Sequence, residues 1–244
     1  MSLQMIENLA LLSFSNGGWG VVILLSAGMT LSLAVCCVLL GLPLGLLNAM
    51  MTQSNIRIAK IIATSFSAIF RGLPELLILF LVYHGLQSLI QTVLDYLKIE
   101  MTFSINAFIA SVLALSMVFA AFSCEIWISA LKVFNKGQYE AAKALGFSSS
   151  TTFFRIVFPQ LIRNALPGLS NNWLTLLKDT SLVSTISLVD LMRQTNLAVS
   201  ATGKPMLFYL VACLLYLLFS AFSSLILRYL EIYTQENCQK VSSL

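Results

Sequence analysis

The chain has 244 residues, of which 58% are hydrophobic and only 10% charged, with a formal net charge of +4. A soluble globule carries about 25% charged side chains, so this composition excludes one and points to an integral, all-α membrane protein. The small positive balance implies no nucleic-acid partner, and the five cysteines, Cys36, Cys37, Cys124, Cys213 and Cys238, show neither paired nor metal-ligand spacing.

The only charge before residue 50 is Glu7, so no cleavable signal peptide is expected, and the first span acts as its own signal. Residues 1–18 read as an external interfacial segment closed by Asn16-Gly17-Gly18. A transmembrane domain then covers 19–232 in five spans, and 233–244 form a cytoplasmic tail. Span one runs over 19–47; its Gly41 and Gly45, bracketing Pro43, either let a neighbouring backbone approach closely or mark a flexible point facing lipid.

After a polar hinge with Arg57 and Lys60, residues 61–91 are too long for one straight span of about 20 residues. Arg71-Gly72-Leu73-Pro74-Glu75 interrupts them with two helix breakers and two opposite charges. Charges at that depth cost about 2.5 to 3.5 kcal/mol on insertion scales, so Arg71 and Glu75 either pair with each other or line a watered pathway. His84, the only histidine, has no companion ligand or nucleophile and is given no role. Residues 86–102 read as an external loop with a short amphipathic helix, and Ser104 is expected to cap span three, 105–131. Glu125 lies deep in that span without a basic residue within one turn, so it must find a cation on another helix, a hydrogen-bonding network or a substrate.

The longest polar, basic island follows, over 136–160. Lys132, Lys136, Lys143, Arg155 and Arg163 in and beside it face only Glu140, which places the loop in the cytoplasm, the N-terminus outside and the C-terminus inside. Two short helices joined at Gly146 are expected, the second capped from Ser148 and ended by Pro159. Ala141 and Ala142 would leave a shallow surface for a docking protein, with Tyr139, Leu145 and Phe147 as apolar anchors; the plain alternative is a connector. Span four, 166–188, carries Asn171, Asn172, Thr175, Lys178 and Asp179 on one arc of about 120°, with Leu169, Trp173, Leu176 and Leu177 opposite. Such a stripe implies a watered lining, or hydrogen bonds between helices. Residues 190–204 read as an outer loop that is partly helical, and Pro205 opens span five, 205–227.

Glu140-Ala141-Ala142, Gly146, Ile156 and Pro159-Gln160 resemble the EAA motif of ABC importer permeases. Phe70-Arg71-Gly72-Leu73-Pro74-Glu75, Lys136-Gly137-Gln138, Ala165-Leu166-Pro167 and Leu177-Lys178-Asp179-Thr180-Ser181-Leu182-Val183 resemble the polar amino-acid uptake branch in order and spacing, over about nine tenths of the chain. The resemblance implies a type I importer permease whose loop is a coupling helix, with Gly137, Gln138, Glu140, Ala141, Ala142, Leu145, Gly146 and Phe147 meeting the ATPase. It implies as partners two ATP-binding subunits that consume ATP with Mg, a second permease subunit (a heterodimer favoured over a homodimer) and an external amino-acid-binding protein, around a chain in lipid at a bacterial inner membrane.

Arg71, Glu75, Glu125, Asn171, Asn172, Thr175, Lys178 and Asp179 are the expected substrate pathway. Leu73-Pro74-Glu75-Leu76-Leu77 and Val189-Asp190-Leu191-Met192-Arg193-Gln194-Thr195 look closest to subunits serving histidine, arginine, lysine and ornithine. Relatives follow the span-three glutamate with an arginine two or three residues on; here Trp127-Ile128-Ser129 stands there, so that arginine's role does not carry over. No phosphate-binding loop is present, since Gly203-Lys204 is followed by proline, and the chain is expected to bind no cofactor or metal itself and to catalyse no reaction. The alternatives are an ion- or proton-coupled secondary amino-acid carrier, against which the absence of an internal repeat counts, and an intramembrane protease or transferase, for which no nucleophile–base spacing exists.

Overall fold

The computed structural model describes residues 11–14, 18–99, 101, 104–134 and 136–242, and every regular element among them is helical. Most of the expected interfacial segment 1–18 lies outside the described residues. Helix α1 spans Gly20–Thr52 and accommodates Pro43 in its interior. Helix α2, Arg57–Gly72, stops where sequence reading placed the interruption: Leu73 and Pro74 stand outside any helix and α3 restarts at Glu75. From there the chain runs without a gap through α3 (Glu75–Phe80), a π turn over Leu81–Gly85 and α4 (Leu86–Tyr96).

Helix α5, Ala107–Val133, follows. Its cap is Asn106 rather than Ser104: the Asn106 side-chain oxygen accepts from the Phe108 N–H at 2.8 Å, the geometry that satisfies an orphan donor of the first turn. After α6 (Lys136–Ala144) and α7 (Ser149–Thr152), a π turn at Phe153–Val157 leads directly into α8, Phe158–Asp179. Pro159 therefore ends nothing. It sits inside a continuous helical run two residues past the π turn, a distortion of the kind that accommodates a proline's missing N–H. A 3-10 turn, Thr180–Ile186, a left-handed Ser187, α9 (Leu191–Thr202) and the 38-residue α10 (Pro205–Ser242) complete the chain. Among the described residues, four stretches are long and apolar enough to cross a membrane: Gly20–Thr52, Glu75–Tyr96, Ala107–Val133 and Pro205–Thr234. The expected fourth of five spans corresponds to α8, which begins eight residues early and has 22 residues but too many polar ones to join them.

Contacts divide the chain into two compact units. The first comprises Met1–Leu39, Leu73–Ser116 and Leu176–Ala221. Its core joins Ile23 and Ala27 of α1 to Leu191 and Ala198 of α9 and Phe208 of α10, with the Trp19 ring edge-on to Phe208. The stretch read as an outer loop is thus packed into apolar structure. Leu191 donates its buried N–H to Thr30 Oγ1 at 3.1 Å, and the fully buried Asp190 caps α9 by accepting from Arg193 N at 2.9 Å and Met192 N at 3.3 Å. Burial pushes the Asp190 carboxyl up to about 6 against the opposing pull of those N–H groups. A raised carboxyl contributes stability that is full below its ordinary range and is lost as pH rises through about 6. Thermal unfolding of the solubilised protein should show that loss, Asp190→Asn should flatten it while keeping the cap, and Asp190→Ala should cost about 0.5–2 kcal/mol at any pH.

The second unit comprises Leu40–Gly72, Met117–Thr175 and Phe222–Leu244. Ala49, Cys124, Trp127, Ile128, Ala130, Leu161, Ala165 and Leu169 form its core, so Trp127 is a packing residue. Gly45 is a point of close approach: a Cβ there would lie 2.7 Å from Ser123 Cβ and 2.9 Å from the Ala120 carbonyl oxygen. Backbone cannot yield as a side-chain tip can, so Gly45→Val should cost about 1–3 kcal/mol and lower the melting temperature of the solubilised protein. Nearby, Asn48 Nδ2 donates to Ser67 Oγ at 2.8 Å and to the Ala63 carbonyl at 3.3 Å, binding α1 to α2 where an unpaired amide would be costly.

Candidate functional site

The polar island folds as its residues dictate. Gly137 to Leu145 is rich in helix formers, and α6 ends in a left-handed Gly146 with φ of 82°. The Gly146 N–H donates to the Lys143 carbonyl at 3.0 Å and the Phe147 N–H to that of Ala142 at 3.1 Å, the two bonds of a Schellman cap. Ser148 then opens α7, its hydroxyl accepting from Thr151 N at 3.1 Å. Gln138 and Gln160 tie α6 to the start of α8 through a 2.7 Å side-chain bond, and Lys143 Nζ reaches Ser149 Oγ at 2.5 Å.

The resulting surface differs in one respect from the shallow alanine face expected. Ala142 is buried and turned inward, whereas Glu140, Ala141, Leu145 and Phe147 are exposed and Tyr139 is at 37%. Gly137 and Gln138 lie on the exposed side of α6 as well.

The charged and polar residues expected along a pathway fall into three groups. In the second unit Arg71 Nη1 meets Glu125 Oε1 at 2.5 Å, with the guanidinium carbon 5.9 Å from the centre of the Phe122 ring. Their side chains are 39% and 48% exposed, so this pair sits on a surface of the unit rather than in its core. The i to i+4 pairing of Arg71 with Glu75 requires a continuous helix, which the break at Leu73-Pro74 removes. Glu125 thus has the cation that its own helix lacks.

On α8, Asn171, Thr175 and Lys178 are exposed as the stripe predicts, with Leu176 and Leu177 buried opposite. Asn172 departs from it. Its amide is buried and donates to Ser123 Oγ at 3.0 Å and to the Phe119 carbonyl at 3.2 Å, so it fastens α8 to α5 within the second unit. Glu75 and Asp179, both partly exposed, belong to the first unit, in which α3 packs against the turn that follows Asp179. Sequence reasoning missed Glu231, which accepts from the Ser170 hydroxyl at 2.8 Å in the second unit; 61 positions separate the two, and no local pattern marks them.

Comparison with known proteins agrees with this architecture. The arginine ABC transporter permease protein ArtQ of Escherichia coli K12 is 39% identical over 85% of this chain and 92% of its own length. The histidine/lysine/arginine/ornithine transport system permease protein HisQ of Salmonella typhimurium is 37% identical over 88% of this chain and 93% of its own. Among solved structures, an amino acid ABC transporter crystallised with histidines superposes with a TM-score of 0.74 at 29% identity, over 95% of this chain and 97% of that one. Residues 41–232 match a single family model, and the chain belongs to the binding-protein-dependent transport system inner membrane components.

Proposed function

We propose that this chain is the transmembrane permease subunit of an ATP-driven importer of polar, basic amino acids. The observation that carries the reading is the 39% identity, over 85% of the chain, to a permease named for arginine. The relatives compared are ABC permeases, which leaves an ion- or proton-coupled carrier without support. In this reading α8 is the fourth of five spans, its polar face turned to water rather than lipid.

The surface of α6 and its Schellman turn docks on an ATPase subunit through Gly137, Gln138, Tyr139, Glu140, Ala141, Leu145 and Phe147, while the inward-turned Ala142 and the Gln138–Gln160 bond hold the loop in shape. Two ATP-binding subunits consume ATP with Mg, so this chain carries out no catalysis and holds no cofactor. A second permease subunit of different sequence and an external binding protein complete the transporter in a bacterial inner membrane. The basic residues around the loop support a cytoplasmic loop and C-terminus with the N-terminus outside. Arg71, Glu125, Asn171, Thr175, Lys178, Glu75 and Asp179 line the route, with Asn172 fixing α8 behind it. The test is ATP-driven uptake of a labelled amino-acid panel into proteoliposomes with candidate partner sets. Arginine, lysine, ornithine or histidine should accumulate only when the ATPase is present; accumulation by this chain alone, or of none of the four, overturns the reading.

A further inference from the structure

Arg163, near the start of α8, meets no carboxylate and no hydrogen-bond acceptor among the described residues, where the ion pair formed is that of Arg71 with Glu125. Its Nε is buried without a partner, whereas its two Nη atoms are not buried. The guanidinium therefore has one edge sealed against the second unit and turns its Nη edge outward. A guanidinium keeps its charge inside a protein, and a buried donor left without an acceptor is costly. An anion on the open edge is the compensation that the chain itself does not provide.

The surroundings point to the kind of anion. Arg155, Pro159 and Arg163 recur four apart, so they follow one side of the π turn and α8, and Arg155 and Pro159 are exposed. Beside Arg155 three phenylalanine rings are in contact: Phe153 lies 5.3 Å from Phe154 and 6.0 Å from Phe158, and Phe154 lies 6.3 Å from Phe158. Phe154 is 63% exposed. At the end of α5, which shares the core of the unit with α8, the exposed Lys132 likewise stands next to Val133, itself 72% exposed. Large apolar side chains left open beside cations match the boundary of a bilayer, where rings enter the acyl region and cations meet phosphates. Span four begins at residue 166 in the sequence, three positions on, which sets Arg163 at that boundary.

We propose that the Nη edge of Arg163, with Arg155 on the same side of the helix, binds the phosphate of an anionic phospholipid in the cytoplasmic leaflet, whose acyl chains lie on Phe154 and Phe158. The two unesterified oxygens of a phosphate diester match the fork of a guanidinium, as a single point charge would not. A zwitterionic lipid carries the same phosphate but brings its own cation, so the site prefers a lipid with net negative charge. Held in this way, the root of the α6–α7 loop is fixed in depth against the leaflet. The site rests on the cytoplasmic placement of that loop and goes beyond the import reading, since it does not depend on which amino acid is carried.

The test uses the assembled transporter in phosphatidylcholine nanodiscs, which offer the same lipid to both faces, so the outcome does not depend on orientation. Photoreactive phosphatidylglycerol or photoreactive phosphatidylcholine is added in equal trace amounts, and the labelled peptides are mapped. Residues 153–167 should take up phosphatidylglycerol about tenfold more than phosphatidylcholine, the worth of one charge-assisted hydrogen bond. Arg163→Gln should bring the ratio close to one, and Arg163→Lys, which keeps the charge without the fork, should leave an intermediate value. Arg155→Gln, at an exposed position, should lower it about threefold, as for an exposed ion pair. Millimolar inorganic phosphate should leave the labelling unchanged. Equal labelling by the two lipids, a ratio that survives Arg163→Gln, or displacement by inorganic phosphate overturns the proposal. So does the absence of label from either lipid, because the face would then be covered by a protein chain. If Arg163→Gln fails to assemble, the wild-type ratio and Arg155→Gln decide. A transporter that imports arginine but shows no lipid preference loses this site alone; one that shows the preference but imports no amino acid loses the import reading and keeps the site.

Discussion

Gly146→Val is expected to reduce stimulated ATP hydrolysis and uptake by about tenfold or more while membrane insertion survives. The effect is one of backbone alone, since a Cβ at Gly146 would meet no heavy atom within 4 Å. At φ of 82° a β-branched residue carries about 1–3 kcal/mol of strain, which the loop relieves by giving up the Schellman turn and with it the placement of Phe147. The order of substitutions is therefore diagnostic. Asparagine, which tolerates left-handed backbone, should retain most activity, alanine less and valine least. Reconstituted complexes carrying the three variants, compared for hydrolysis with and without loaded binding protein, give the measurement. Equal activity in all three would remove the loop from coupling.

The second large effect concerns Glu125. Glu125→Gln should lower arginine and lysine uptake about tenfold or more, because it leaves Arg71 as an uncompensated cation on the route proposed for cationic substrates. The pair is half exposed, so its direct contribution to stability is small, of the order of an exposed ion pair, about 0–1 kcal/mol. Assembly and basal hydrolysis should accordingly persist. Exchanging the charges in Arg71→Glu with Glu125→Arg restores the pair but not its placement, so stability should return fully and transport only in part. Loss of assembly in Glu125→Gln, with any remaining transport unaltered in rate and preference, would make the pair purely structural.

What the sequence discloses here is what one turn of chain decides. Pro74 and Gly72 must interrupt a helix wherever they fall together, and Gly146 between a helix-forming run and a cap-rich serine cluster must turn left-handed. The class of fold is legible for the same reason, as bilayer-length apolar runs admit no structure but helices. Pairings across long separations are not. Arg71 chooses Glu125 over Glu75 because the break turns the nearer carboxylate out of register, and no periodicity reports on a partner 54 positions away. Asn172 shares its stripe with Asn171 and Thr175, yet is drawn inward by Ser123 and the Phe119 carbonyl of α5, a distinction that depends on what packs opposite. The inward turn of Ala142 is of the same kind. Asp190 misled for another reason: a short polar stretch between two spans looks like a surface loop, whereas Thr30 and the N–H groups of α9 make a buried carboxylate tolerable there.

The π turn at Phe153–Val157 has a consequence for how such permeases can diverge. It holds one residue more than an α-helix would need over the same length, so it is a place where the chain can take up an extra residue without breaking helical continuity from α7 into α8. Losing that residue would leave a regular helix, turned by about 100° on the side of α7 relative to α8. Single-residue insertion or deletion at this point therefore re-aims the α6–α7 loop as a whole, and if that loop is the proposed docking face, its fit to a partner would change in one genetic step without altering a residue of the face.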